Sequence, residues 1–250
     1  MNQALFDYTL RLADTSLVLG HRLSEWCGHG PMLEEDIALA NLGLDLVGQA
    51  RSLYTYAGEV EGKGRDEDAL AYLRDVYDFK NILLVEQPNG DFAATMVRQL
   101  LFSAFMHPFW FEMRMSRDAT LAAIAAKSEK ELAYHLRHSG EWVIRLGDGT
   151  AESKRRTEAA LDTIWPFTGE MFESDPADQD LIEAGIAVDL TTFRGIWTKT
   201  VDDVLERAGL ARPDDGWMQT GGRIGRHSEH LGFILADMQF LQRAYPGAAW

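Results

Sequence analysis

Residues 122–147, AAIAAKSEKELAYHLRHSGEWVIRLG, decide how the chain is read. The stretch predicts one long helix on which Glu131, His135, His138 and Trp142 fall at i, i+4, i+7 and i+11, a single stripe. A carboxylate and two imidazoles on one helical face suggest a carboxylate-bridged di-metal bundle. Such a bundle takes one Glu from each of two helices and a Glu-x-x-His from each of two others. Three residues before His21, His29, His107, His135, His138, His227 and His230 stand Val18, Trp26, Ala104, Leu132, His135, Ile224 and His227. No Glu-x-x-His exists anywhere in the chain. Carboxylates are also scarce: Asp45 is the one acid in the apolar middle of its helix, and none lies between Asp91 and Glu112. An intact di-metal site is therefore not expected. The alternative reading keeps a self-sufficient di-metal oxidase built from Glu131, His135, His138 and Asp45. A metal-free network of Glu131, His135 and Asp45 in the bundle core is the expectation, because buried carboxylates need donors.

Outward from this helix, the rest of the chain also reads as helical. Periodic apolar residues predict helices over 5–26, 32–59, 67–85, 92–114, 152–172, 193–208 and 226–243. Helix 32–59 is apolar on nearly all sides, so it should be wrapped by other helices or by a partner chain. Its Gly43 and Gly48 suit close approach of a neighbour. Asp91 is placed to cap helix 92–114, which contains Pro108, and Thr191 to cap helix 193–208. Pro166 should disturb the end of helix 152–172, and the acidic loop 173–189 leaves room for a helical turn near Leu181. No strand, repeat or linker is evident. One helical domain over 1–250, with long antiparallel helices in two pairs, is the expectation.

Composition narrows the function. With 250 residues, 46% of them hydrophobic, the chain can bury a large core. A formal charge of −15, from 24 basic and 39 acidic residues, argues against nucleic acid or an anionic membrane as partner. The first residues lack a basic segment followed by an apolar core, so no signal peptide is expected. The single Cys27 fits a reducing cytoplasm and reads as a buried thiol. His21 reads as a hydrogen-bonded histidine, and Tyr134 as core. The stretch TGGRIGRHSEH, residues 220–230, opens a helix. It can hold a phosphate or carboxylate at that helix N-terminus, although packing is the simpler reading.

The segments RLSEWCGHGP (22–31), DIALANLGLDLVGQAR (36–51), NILLVEQPNGDF (81–92), KELAYHLRHSGEW (130–142), GTAES (149–153) and GRHSEHLGFILADMQFLQRAYPG (225–247) carry a resemblance. In this order they resemble the C subunits of bacterial phenylacetyl-CoA epoxidases, and the likeness extends to Trp250. It implies an all-α, ferritin-like bundle with additional C-terminal helices and its metal ligands lost. It further implies a non-catalytic structural subunit of a cytoplasmic monooxygenase in aerobic phenylacetate degradation. That complex epoxidises the ring of phenylacetyl-CoA with O2. Its di-iron centre lies in a partner A subunit, bound here as a tight heteromer, and a flavin and iron–sulfur reductase feeds it from NADPH. No cofactor, metal ligand or catalytic residue is then expected in this chain. Edge contacts with the acyl-CoA are implied at Asp78, Phe79, Lys80 and Asn81, and at Gln179, Asp180 and Leu181. Lys80 would face a phosphate, Asn81 would hydrogen-bond, and Phe79 would pack on an apolar part.

Overall fold

The computed structural model describes residues 2–248. Met1, Ala249 and Trp250 lie outside the described residues, and with them the aromatic tip of the tail on which the sequence resemblance ends. The described residues form helices and no strand: α1 (Gln3–Ser24), α2 (Leu33–Glu61), α3 (Glu67–Tyr72), α4 (Leu83–Glu86), α5 (Phe92–Met113), α6 (Ala119–Gly147), α7 (Ala151–Ile164), α8 (Gln179–Glu183), α9 (Arg194–Arg207) and α10 (Glu229–Ala244), with short 3-10 turns between them. The all-helical architecture is that expected of a ferritin-like bundle. The chain forms two compact units, residues 2–88 with 220–248, and Asn89–Gln219.

In the first unit α1 and α2 are an antiparallel pair. The Asp36 carboxylate pins their connecting turn by accepting from the Gly28 and Gly30 amides at 3.1 and 2.9 Å. Gly20 and Gly43 face each other: a Cβ on either would stand 3.2 to 3.3 Å from the other's carbonyl oxygen. Without side chains at that crossing, the helix axes come close. Leu19, Leu23, Leu39, Leu42, Leu46 and Leu53 fill the interior at 0% exposure. Each such burial is worth about 1.5–3 kcal/mol. On its other side α2 leaves Leu33, Ile37 and Leu44 exposed, at 73%, 53% and 68%.

The single helix expected over 67–85 is broken into α3, a 3-10 turn at Val76–Asp78, and α4. Arg74, two residues past the end of α3, folds back on its last turn, its Nε donating to the Leu70 carbonyl at 2.5 Å. Asp75 and Asp78 then cap the 3-10 turn reciprocally. The last helix begins at Glu229, not at 226, because Ser228 is extended (φ −74°, ψ 166°) and gives its amide to the Glu86 carboxylate.

In the second unit α5 and α6 are antiparallel. Asp91 caps α5 through the Ala94 amide at 3.0 Å, and Pro108 lies inside α5, which runs on to Met113. The Asp118 carboxylate accepts from Thr120 and Leu121, so α6 begins at Ala119, three residues before the periodicity becomes clear. Thr191 does not cap α9. Asp189 caps a 3-10 turn there by accepting from the Thr191 amide at 2.9 Å, and α9 follows from Arg194. Past Pro166 the chain turns into 3-10 geometry, and Phe105, Phe109, Phe172, Phe193 and Trp197 pack edge to face or stacked. Trp197 is 1% exposed and donates its indole N–H to the Leu101 carbonyl at 2.9 Å. Among the described residues no helix is long and apolar enough to cross a membrane.

Candidate functional site

The segment from Arg74 to Glu86 holds four of the residues implicated by the sequence, and it is held from beneath by buried charge. Asp14 on α1 is 0% exposed. Its carboxylate accepts from the Tyr54 hydroxyl at 2.5 Å, from both terminal nitrogens of Arg74, and from the Lys80 amide at 2.8 Å. Arg74 also lies 4.2 Å from the centre of the Phe79 ring, a cation–π contact, and donates to the Asp78 carbonyl at 2.9 Å. Burial opposes the Arg74 charge, but Asp14 outweighs it and holds the guanidinium above its ordinary range. Burial first, then the Asp14 charge, pushes the Tyr54 hydroxyl well above its ordinary value.

A second cluster closes the far end of the segment. The Glu86 carboxylate is buried and accepts from the Ser228 amide at 2.7 Å, from Asn81 Nδ2 at 3.3 Å, and faces His227 Nδ1 at 3.1 Å. His227 Nε2 lies 2.8 Å from the Phe79 carbonyl oxygen. Arg22 from α1 donates Nη2 to the Glu86 carbonyl at 2.8 Å. The start of α10 is thus an anion site, as its sequence allows, and a carboxylate of the chain itself fills it. The glycines ahead of it serve approach: a Cβ on Gly222 would lie 2.2 Å from the Asn81 carbonyl oxygen, and one on Gly225 2.5 Å from that of Tyr77.

This framework decides which side chains are offered outward. Asp78 is exposed and Lys80 half-exposed, whereas Phe79 and Asn81 are both at 0% and point into the unit. The Phe79 ring lies against Arg74, and Asn81 Nδ2 bonds to the Ile82 carbonyl at 3.1 Å. In the other unit Gln179 and Asp180 are exposed at the start of α8, and Leu181 is buried. Sequence reasoning missed Asp14, Tyr54, Arg74, Glu86 and His227 as a set. A signal existed for Asp14, which sits among Leu10, Leu17 and Val18 at helical spacing. A carboxylate there needs a partner.

The residues of the alternative metal reading are engaged otherwise. His135 is 0% exposed with Nδ1 3.5 Å from Gln99 Nε2, and the neighbouring Ser139 hydroxyl donates to its carbonyl at 2.7 Å. Glu131 pairs with Lys127 at 3.4 Å, and the His138 ring stacks on Tyr134. Asp45 is half-buried on α2, and Arg51 on the same helix is turned to Glu67 at 3.3 Å. Among the described residues no group of three or more His, Cys, Asp or Glu is placed to hold a metal ion. These side chains do not fit a di-iron centre, and the self-sufficient oxidase is not supported. Cys27 is exposed, not buried, because α1 ends at Ser24 and the cysteine falls in the turn that follows.

The chain is an all-helical bundle of the ferritin-like kind, with no converging set of metal ligands among the described residues. Comparison with known proteins gives that class a family: over residues 1–250 the chain matches the phenylacetic acid catabolic protein family, and it belongs to it. It is 51% identical to the C subunit of 1,2-phenylacetyl-CoA epoxidase from Escherichia coli (strain K12), over 250 residues that cover 100% of both chains.

Proposed function

We propose that this chain is the C-type subunit of a cytoplasmic phenylacetyl-CoA epoxidase, a structural subunit that binds a di-iron A-type partner and touches the edge of the acyl-CoA. The observation that carries the reading is the full-length, 51% identity to the C subunit of such an epoxidase. The exposed Leu33, Ile37 and Leu44 of α2 supply apolar area suited to a stable partner. In this proposal iron resides in the partner, and a flavin and iron–sulfur reductase delivers electrons from NADPH.

At the acyl-CoA edge the contacts belong to Lys80, Asp78 and the backbone of 78–81, with Phe79 and Asn81 shaping the segment from inside. Gln179 and Asp180 offer a second polar edge, and Leu181 anchors it. Lys80 presents the ammonium a CoA phosphate needs. The test is elemental analysis and turnover, on the chain alone and co-purified with its A-type partner. Iron only in the co-purified sample, with epoxidation only there, supports the reading. About two irons per chain in the isolated protein, or oxygen consumption by it alone, overturns it.

A further inference from the structure

We infer that the Glu86–His227 pair is a proton-dependent clasp that positions the segment carrying Lys80. This inference rests on the proposal that residues 78–81 meet the acyl-CoA. Hydrogen-bond roles around the imidazole force it. The Phe79 carbonyl can only accept, so Nε2, 2.8 Å away, carries a proton. Glu86 receives the Ser228 amide on Oε1 and Asn81 Nδ2 on Oε2, and as a carboxylate it accepts from Nδ1 at 3.1 Å as well. His227 therefore sits as an imidazolium, its side chain 1% exposed beside a carboxylate at 0%.

Removal of one proton leaves a ring-nitrogen lone pair aimed at an oxygen, whichever tautomer remains. The contact to Phe79 or the contact to Glu86 turns repulsive. Phe79 is one of three successive residues fixed in this way, since the Lys80 amide is held by Asp14 and the Asn81 carbonyl lies against Gly222. Loss of the clasp removes one of these three holds on the backbone from which Lys80 projects. Of the other charged groups, Asp14 on α1 acts on the ring through its charge, and Arg22 on α1 donates to the Glu86 carbonyl. Burial acts against the imidazolium, but Glu86, the Phe79 carbonyl and the Asp14 charge outweigh it and raise the His227 pKa above 6.5. The clasp is thus closed below pH 6.5 and opens as pH rises through the raised His227 value. His227 is a positioning residue and touches no substrate.

Two measurements test this. The first is amide hydrogen exchange of residues 79–82 in the isolated chain, expressed as protection relative to the intrinsic rate, from pH 6 to 9. Protection should fall across that range by about tenfold for each unit by which the His227 pKa is raised. In Glu86→Gln it should stay flat, because the amide N–H can donate to a neutral His227. The second is the pH dependence of KM and kcat for phenylacetyl-CoA in the assembled complex. KM should rise alongside the loss of protection while kcat does not follow it, and Glu86→Gln should remove the pH dependence. Lys80→Ala separates the two ideas. If Lys80→Ala leaves KM unchanged, the segment is not at the acyl-CoA edge, and exchange alone decides the clasp. If Lys80→Ala raises KM but wild-type protection and KM are both flat with pH, the clasp is refuted. The wild-type exchange profile needs no variant to fold.

Discussion

Asp14→Asn should destabilise the protein by an amount large enough to separate a buried charge pair from a surface one. Four donor groups converge on the Asp14 carboxylate: the Tyr54 hydroxyl, both Arg74 terminal nitrogens, and the Lys80 amide. Asparagine offers one acceptor oxygen and turns an NH2 group toward donors. It also leaves the Arg74 guanidinium, 5% exposed, without its counter-charge. Breaking such a pair from one side costs about 3–5 kcal/mol, against a total stability of about 5–15 kcal/mol. With a urea slope of about 3 kcal/mol per M, the midpoint should fall by about 1–2 M. The assay is a urea titration followed by far-UV circular dichroism. The double variant Asp14→Leu/Arg74→Met, which removes both charges, should recover a large part of that loss. A fall of less than about 0.3 M for Asp14→Asn, the scale of an exposed ion pair, would refute the reasoning.

Gly222→Ala and Gly225→Ala should each lower stability by about 1–3 kcal/mol, because the new methyl meets backbone oxygens at 2.2 and 2.5 Å. Gly232→Ala within α10, whose methyl would meet nothing within 4 Å, should raise stability by about 0.5–1 kcal/mol in the same melts. The His227 pKa lies above 6.5 in the folded protein, so its contribution is complete below that pH and is lost as pH rises through the folded value. Urea midpoints should therefore decline on the alkaline side, and His227→Gln should remove that slope. His21 has the opposite sign: burial lowers its pKa, so its neutral form stabilises above pH 6.5 and that stability is lost as pH falls. Its titration by NMR should give a pKa below 6.5. Trp197→Phe, which removes the buried indole donor to the Leu101 carbonyl, should cost about 1 kcal/mol by thermal or urea melting.

The four long helices were legible because their apolar residues repeat over many turns, and Asp91 marks the start of α5 in the sequence itself. Their ends were less so: α6, capped by Asp118, begins three residues before the stretch read as helical at 122. Residues 67–86 misled for a different reason. Their local composition suits a helix, but Arg74 is recruited by Asp14, 60 residues away, and folds back on the last turn of α3. The same distance effect hid the clasp, since Glu86 and Ser228 stand 142 residues apart. At the candidate site, the resemblance pointed to Asp78, Phe79, Lys80 and Asn81 as a run. Which of them look outward is set by the path of the backbone. Two point in, and only an account of the buried donors and acceptors says which. Cys27 failed in the same way, since one turn past a helix end the apolar face no longer governs exposure.

The discontinuity of the first unit bears on how the protein comes into being. Residues 2–88 contain Asp14, Arg74 and Glu86, but Glu86 meets Ser228 and His227 only after all of Asn89–Gln219 has been synthesised. A nascent chain therefore holds the Glu86 carboxylate with its Ser228 and His227 partners still missing, while the intervening unit already has its own core and can fold on emerging from the ribosome. The closing contact is among the most distant in the sequence and carries the corresponding loop-closure entropy. The Glu86 end of the segment that presents Lys80 is thus closed late, and a chain that ends before residue 220 lacks that closure.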